Sequence, residues 1–274
     1  MNQAMQEEGY VTADGRKIGG TLMEMKNITL RFGGVKAITD ISFDIKEGEI
    51  RAIIGPNGAG KSSMLNVISG FYVPQEGEVW YKGARRPAMK PYEVARLGIA
   101  RTFQNIALFE GMTVLDNVMT GRLNHMKTNM FQQAIWKGAA EKEEVENREV
   151  VEKVIDFLEI QSIRKTPVAR LPYGLKKRVE LARALVAEPQ MLILDEPMAG
   201  MNQEEKGYMS RFILDARAER GVSVLLIEHH MDVITGICDR MLALNYGEMI
   251  ASGIPKEVVK DPRVIEAYIG GSHD

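Results

Sequence analysis

Continuous apolar runs along the chain predict short, fully buried β-strands. Residues 191–195 and 222–227 form such runs, and residues 50–54 form a short β-branched run typical of a central strand. Runs of this kind are typical of a parallel sheet that is covered on both faces. Residues 22–32 alternate imperfectly between apolar and polar positions, and residues 41–45 form a further strand-like run. The pattern predicts an α/β fold with additional strands near the start of the chain.

A segment of different composition lies between these strands. Residues 114–158 are rich in Met, Gln, Lys and Glu, and the spacing of residues 134–157 is helical. The charges at 141–149 indicate a solvated helix face rather than an interaction site. This pattern predicts a helical subdomain over about residues 105–185. Near the end of the chain, residues 254–270 carry two prolines and predict a last short helix.

Composition and termini limit the possible functions. The net charge is −2, so bulk charge does not suggest a nucleic-acid-binding protein. A single cysteine, Cys238, excludes a disulfide within the chain and a metal cluster built on thiolates. No run approaches the roughly 18 apolar residues of a membrane span. Residues 1–20 lack a signal-peptide pattern. They are expected to form a flexible tail before a single domain over 21–274, in a cytoplasmic protein.

A glycine-rich loop lies between the strand predicted at 50–54 and a segment of helical spacing at 62–69. It fits the pattern G-x-x-x-x-G-K-[ST] of the phosphate-binding P-loop. The glycines let successive backbone N–H groups point at phosphates, and the following helix presents its positive end to them. Lys61 is expected to contact the β- and γ-phosphates of ATP, and the Ser62 hydroxyl is expected to bind Mg²⁺. The predicted nucleotide-binding residues of the loop are Gly55, Pro56, Asn57, Gly58, Ala59, Gly60, Lys61, Ser62 and Ser63.

Two acidic residues lie at the end of the apolar run 191–195. Asp195 is its last residue, and Glu196 follows directly. In P-loop enzymes an aspartate at such a strand end holds Mg²⁺, directly or through water. Because side chains alternate along an extended segment, Glu196 is expected to point away from the direction of Asp195. Glu196 is therefore the candidate general base for the attacking water. A strand ending in Asp-Glu is common by itself, but together with the P-loop it predicts an ATP-hydrolysing site.

With these two motifs in place, the chain resembles the ABC transporter ATPases. Residues 171–175 read L-P-Y-G-L and occupy the place of that family's signature sequence, L-S-G-G-Q. The resemblance implies that Gly174 acts on a nucleotide bound by a second ATPase subunit, so hydrolysis needs a head-to-tail dimer. The L-P-Y-G form is similar to the branched-chain amino acid importer type, whose members read L-P-Y-G-Q. Leu175 departs even from that form.

Further positions match motifs of the same family. Gln104, in A-R-T-F-Q, matches the Q-loop glutamine, which implies contact with Mg²⁺ and a link to the membrane subunits. His229 matches the switch histidine, which implies a role in sensing the γ-phosphate and positioning the water. Phe32 lies where the family places an aromatic ring that stacks on adenine. Asn202 replaces the more usual aspartate of the D-loop.

The resemblance implies an ABC ATPase cassette, a P-loop NTPase with a parallel-sheet core, an antiparallel β subdomain and an inserted helical subdomain. It implies ATP and Mg²⁺ as ligands. The implied partners are a second ABC ATPase subunit, two integral-membrane permease subunits and a periplasmic or extracellular substrate-binding protein. No nucleic acid is expected as a partner.

The implied function is ATP hydrolysis that powers uptake of branched-chain or related amino acids, at the cytoplasmic face of the inner (plasma) membrane. One alternative is the ATPase of a lipid or polysaccharide exporter, which the L-P-Y-G form disfavours. The other is an ABC ATPase acting on ribosomes or DNA. Ribosomal types carry two cassettes and DNA-repair types a long coiled coil, and neither feature is present. The transported substrate and the choice between a homodimer and a heterodimer stay open.

Overall fold

The computed structural model describes residues 9–12, 15–125 and 139–269. Within these ranges the chain forms twelve β-strands in three sheets and nine α-helices. In chain order the strands are β1 (Tyr10–Val11), β2 (Lys17–Ile18), β3 (Thr21–Phe32), β4 (Val35–Lys46), β5 (Ile50–Ile54), β6 (Glu76–Tyr81), β7 (Ala84–Arg86), β8 (Ile99–Arg101), β9 (Met191–Asp195), β10 (Ser223–Ile227), β11 (Arg240–Asn245) and β12 (Glu248–Gly253).

The helices include short 3₁₀ turns as well as regular α-helices. The α-helices are α1 (Lys61–Ile68), α2 (Pro91–Arg96), α3 (Val114–Met119), α4 (Ala139–Phe157), α5 (Tyr173–Leu185), α6 (Gln203–Arg220), α7 (Met231–Ile237), α8 (Pro255–Val258) and α9 (Pro262–Ile269). The 3₁₀ turns are Thr120–His125, Gln161–Ile163 and Val168–Arg170. No helix among the described residues is long and apolar enough to cross a bilayer.

The central sheet has six strands in the order β12-β11-β5-β10-β9-β8. All neighbouring pairs are parallel except β11 with β12. Every residue of β5, β9 and β10 is buried, as expected for continuous apolar strands covered on both faces. Parallel strands end at one edge of a sheet, where ligand sites of open α/β folds lie. The segments that follow β5, β8, β9 and β10 therefore meet at this edge.

A second, antiparallel sheet has the strand order β4-β3-β6-β7. β4 begins at Val35, six residues before the strand predicted at 41–45. Its first residues are exposed or half-buried, and Asp40 has a φ of 49°, so the alternation that marks a strand is broken there. The buried side of this sheet packs with residues of α1 and of the central sheet in one apolar cluster.

Helices α3, α4 and α5 fall within the segment 105–185. Their buried apolar residues share one cluster with side chains of β9, β10 and α6. These contacts join the helices to β9 and β10 of the central sheet. Residues 134–138 of the predicted helix lie outside the described residues.

In residues 9–12 and 15–20 the structure differs from the flexible tail predicted over residues 1–20. β1 and β2 pair as an antiparallel hairpin, and Ile18 is buried. Arg16 forms an ion pair with Asp239 at 3.0 Å, and the Gly19 N–H donates to the Glu47 carbonyl at 2.9 Å. Strands of two residues are too short to show the alternation from which a strand is predicted. The contacts with Asp239 and Glu47 hold the hairpin against the rest of the domain. Residues 1–8 lie outside the described residues.

Candidate functional site

The loop between β5 and α1 packs closely against neighbouring backbone. Gly55, Gly58 and Gly60 have φ values of 149°, 79° and 100°, a range that favours glycine. A Cβ atom on Gly55 would lie 2.2 Å from the Leu244 carbonyl oxygen, and one on Gly60 would lie 2.6 Å from that of Ala37. Glycine is therefore required at both ends of the loop by close packing as well as by conformation.

Helix α1 begins directly after this loop and exposes the donors of its first turn. No hydrogen bond within the described part of the chain takes up the backbone N–H groups of Lys61, Ser62 and Ser63. Free N–H groups are the normal condition at a helix start. Together with the positive end of the helix dipole they form a site for an anion such as a phosphate.

The Lys61 side chain folds back over the loop. Its Nζ donates to the carbonyl oxygens of Gly55 at 2.6 Å and Pro56 at 2.9 Å. Burial lowers the pKa of Lys61 below its ordinary value, while the carboxylates of Glu196 and Asp195 act in the opposite direction. The electrostatic effect of the two acids on Lys61 agrees with their position at the same edge of the central sheet as the loop.

Glu196 lies at the centre of a group of catalytic candidates. Its φ is 50°, in a region that non-glycine residues seldom adopt, and its N–H donates to the Ile227 carbonyl at 3.0 Å. Gln104 Nε2 donates to one carboxylate oxygen at 3.1 Å, and His229 Nε2 lies 3.0 Å from the other. The structure thus brings together the three predicted catalytic side chains, from segments that follow β8, β9 and β10.

Asp195 has a partner that the motif analysis missed. Arg101, the last residue of β8, donates to Asp195 Oδ2 at 2.9 Å and to Asn66 Oδ1 of α1 at 2.7 Å. Its guanidinium carbon lies 5.2 Å from the centre of the Phe103 ring. Arg101 therefore connects the ends of two neighbouring strands with α1. The sequence carries no local signal for this contact, because it depends on the pairing of β8 with β9 in the folded sheet.

Glu228 is a second residue that the motifs did not identify. It is only 1% exposed, and its carboxylate accepts the N–H groups of Met198 at 2.8 Å and His229 at 3.0 Å. A buried carboxylate is costly unless such donors satisfy it. Glu228 therefore fixes the backbone that carries His229 relative to the segment after Glu196.

Lys177 of α5 is the third residue missed. It is 3% exposed, and its Nζ donates to the carbonyl oxygens of Gln104 at 2.9 Å and Phe103 at 3.3 Å. Glu180, one turn further along α5, lies 3.4 Å from the same Nζ. Lys177 therefore connects the segment that carries Gln104 to α5, the helix that begins at the signature sequence.

Phe32 and Gly174 are the remaining predicted residues. Phe32 ends β3, is 46% exposed, and makes an edge-to-face contact with Tyr72 at 5.0 Å between ring centres. Gly174 lies in the first turn of α5, where an added Cβ would come within 2.2 Å of Glu205 Oε1. Leu175 packs partly buried against the main apolar cluster. A leucine at this position, where the family motif has glutamine, is thus accommodated by apolar packing.

A loop of backbone donors follows β5 and leads into a helix that begins with Lys61. An acid pair lies at the end of β9, a parallel strand of the same sheet. These features define the class of P-loop nucleoside-triphosphate-binding ATPases. Within the class, the sequence model of the ABC transporter family matches residues 38–199. The model of the branched-chain amino acid ATP-binding cassette transporter matches residues 248–274. The chain belongs to the ABC transporter family and is one of its ATPase subunits.

Curated relatives are similar over almost the whole chain. The branched-chain amino acid transport ATP-binding protein LivG of Salmonella typhimurium is 34% identical over 91% of this chain and 98% of its own length. BraF of Pseudomonas aeruginosa, of the same description, shows the same identity and coverage. The probable LivG of Methanocaldococcus jannaschii is 34% identical over 91% of this chain and 97% of its own length.

Solved structures of ATP-binding cassettes share the fold. A nucleotide-free cassette of an ABC transporter superposes with a TM-score of 0.80 at 33% identity, covering 91% of this chain and 99% of that one. A cassette in its ADP conformation gives the same values. These matches confirm the predicted fold class, family and ATPase activity.

Proposed function

We propose that this chain is the ATP-binding and ATP-hydrolysing subunit of an importer for branched-chain or related amino acids. The amino-acid class rests on relatives named as branched-chain amino acid transport ATP-binding proteins and on the match of residues 248–274 to that type. The hydrolytic role rests above all on one observation. The Glu196 carboxylate is held between Gln104 and His229, at the edge of the central sheet that also carries the phosphate loop.

Residues 55–63 bind the phosphates in this proposal. The free N–H groups at the start of α1 donate to phosphate oxygens, and Lys61 exchanges its carbonyl partners for the β- and γ-phosphates. Charge-assisted hydrogen bonds of this type are stronger than those to neutral carbonyls, which favours the exchange. The exposed ring of Phe32 offers a face on which adenine stacks.

Three oxygen-bearing side chains fit Mg²⁺ as a ligand set. The Ser62 side chain is exposed at the start of α1, Asp195 has its Oδ1 free of hydrogen bonds from other described residues, and Gln104 carries an amide oxygen. Hard oxygen donors are the ligands Mg²⁺ prefers. When bound, Mg²⁺ neutralises charge on the phosphate oxygens. Arg101 keeps the Asp195 carboxylate in place through its other oxygen, Oδ2.

Glu196 acts as the general base. Its carboxylate takes a proton from the attacking water, and a position within hydrogen-bond reach of a water near the phosphates is what this role requires. His229 and Gln104 orient the carboxylate through their contacts at 3.0 and 3.1 Å. Glu228 holds the backbone of His229 so that this geometry is kept.

The complete site needs other subunits. Gly174, at the start of α5, contributes to the nucleotide bound by a second ABC ATPase, in a homo- or heterodimer. Two permease subunits and a periplasmic or extracellular substrate-binding protein complete the importer, with this subunit at the cytoplasmic face of the inner membrane. Residues 21–274 act as one ABC domain in which about 105–185 form the helical subdomain.

The substitution Glu196→Gln tests the assignment of the base. Gln keeps the size of the side chain and removes the proton acceptor, so ATP hydrolysis should fall roughly 100-fold or more. ATP affinity should be retained, because the phosphate loop is untouched. Hydrolysis is measured as phosphate release and affinity by isothermal titration.

The matched control is Glu219→Gln, at an exposed position near the end of α6. This variant should hydrolyse ATP at the rate of the unmodified protein. A Glu196→Gln variant that hydrolyses ATP at that same rate would show that another group is the base.

A further inference from the structure

The C-terminal part of the chain packs against the phosphate loop. Leu244 of β11 closes over Gly55, since an added Cβ there would lie 2.2 Å from the Leu244 carbonyl oxygen. In the turn between β11 and β12, the Gly247 N–H donates to the Ala59 carbonyl at 3.1 Å. Both ends of the glycine-rich loop thus contact the β11–β12 hairpin.

Helix α9 supplies a third contact to the loop. The Gly55 N–H donates to the hydroxyl of Tyr268 at 2.8 Å. The Tyr268 side chain packs against an apolar cluster that includes Ile54, the residue directly before Gly55. Val264, one turn earlier in α9, is buried in the same cluster. The ring is therefore anchored by packing, and its hydroxyl reaches the point where β5 becomes the loop.

The Tyr268 hydroxyl is suited to accept this hydrogen bond. Burial raises the pKa of Tyr268 above its ordinary value, with a smaller opposite effect of the hydrogen bond from Gly55. The hydroxyl therefore stays neutral at physiological pH. Gly55 has a φ of 149° and no room for a side chain. A hydrogen bond to its N–H is thus one of the few side-chain contacts available to hold this end of the loop.

We propose that Tyr268 is a positioning residue for nucleotide binding, which holds the first glycine of the phosphate loop and couples the docking of α9 to occupancy of the site. Residues 248–274 match the branched-chain amino acid type. The hydrogen bond of Tyr268 therefore connects a C-terminal segment typical of that type with the phosphate loop that all P-loop proteins share. The proposal rests on the proposed binding of the nucleotide at residues 55–63.

Coupling of this kind is reciprocal. If docked α9 favours the binding conformation of the loop, a bound nucleotide must favour docked α9 by the same factor. One hydrogen bond to a neutral hydroxyl predicts a modest coupling, of roughly two- to tenfold in affinity. The effect should appear with ADP as well as ATP, since the contact lies on the loop and not at the catalytic acids.

Hydrogen–deuterium exchange on the full chain, with and without ADP, tests the proposal. In the unmodified protein, ADP should slow amide exchange in residues 262–269, although α9 itself carries none of the predicted phosphate-binding groups. In Tyr268→Phe, which removes only the hydroxyl, Gly55 should exchange faster without ADP. The ADP dissociation constant should rise roughly two- to tenfold, and ADP should no longer protect α9.

Two controls separate coupling from loss of structure. Tyr246→Phe removes a hydroxyl from an exposed ring and should change neither affinity nor exchange. Val264→Ala loosens the packing of α9 but keeps the Tyr268 hydroxyl, so ADP should still protect α9 in this variant. ADP that binds the unmodified chain without protecting residues 262–269 would overturn the proposal, as would unchanged affinity and protection in Tyr268→Phe. Failure of the unmodified chain to bind ADP would instead overturn the nucleotide site itself.

Discussion

The phosphate loop and the group of catalytic acids lie at the same edge of the central sheet but are held in different ways. The loop is fixed mainly by backbone, through glycine conformations and contacts with the carbonyls of Ala37 and Leu244. The catalytic group is fixed by side chains. Gln104 and His229 hold Glu196, and Arg101 holds Asp195.

This difference indicates a division between binding and turnover. A loop held by backbone packing is preorganised, because close contacts allow it few alternative conformations. Side-chain hydrogen bonds such as that of Gln104 can be exchanged when the segment that carries them moves. Lys177 ties that segment to α5, the helix that begins at the signature sequence. We therefore expect substitutions in the loop to affect nucleotide affinity and substitutions in the catalytic group to affect hydrolysis.

The largest expected effect on nucleotide affinity is that of Lys61→Ala. It removes the charged donor to the phosphates, which is worth about 1.5–3 kcal/mol, or roughly 10- to 150-fold in ATP dissociation constant. Hydrolysis should fall with it, because less ATP is bound. Isothermal titration measures the affinity, and Lys153→Ala, at an exposed position on α4, is the control. Equal ATP affinities for Lys61→Ala and the control would mean that the loop does not bind the phosphates.

A smaller effect should distinguish two glycines of the loop. Gly58 and Gly60 both have positive φ, but only a Cβ on Gly60 would collide, at 2.6 Å from the Ala37 carbonyl oxygen. Gly60→Ala should lower the free energy of unfolding by about 1–3 kcal/mol more than Gly58→Ala, as overpacking typically does. Urea denaturation measures both. Equal losses would show that backbone conformation alone, and not close packing, selects glycine here.

The smallest effect is expected for Gln104→Leu. Loss of the hydrogen bond to Glu196 Oε2 should lower the rate of ATP hydrolysis by roughly two- to tenfold, which corresponds to one ordinary hydrogen bond. ADP affinity measured without Mg²⁺ should not change, because Gln104 is expected to act on the nucleotide only through the metal. Gln203→Leu, at an exposed position in α6, serves as the control. A fall in ADP affinity with normal turnover would contradict the division between the two regions.

The sequence predicts the phosphate loop well because its conformation is specified locally. Three glycines, a lysine and a serine lie within eight consecutive residues, and the flanking strand and helix have clear periodicity. The same holds for β9 and β10, whose continuous apolar runs match buried strands. The role of Glu196 followed from its position after such a strand, and that of His229 from the resemblance to the ABC transporter ATPases. The structure places the two side chains in contact.

The residues that support the catalytic group could not be predicted in this way. The contact of Arg101 with Asp195 joins residues 94 positions apart, and that of Lys177 with Gln104 joins residues 73 apart. Their partners are set by how strands and helices pack, which no local pattern contains. The hairpin of β1 and β2 was missed for the same reason, since its contacts with Asp239 and Glu47 fix it in place.

A crystal structure of the Glu196→Gln variant grown with ATP and Mg²⁺ tests the central claim most directly. We expect the β- and γ-phosphates within hydrogen-bond distance of the N–H groups of residues 60–63. Lys61 Nζ should have moved from the carbonyls of Gly55 and Pro56 to the phosphates. A nucleotide bound elsewhere, with Lys61 still bonded to those carbonyls, would contradict the account.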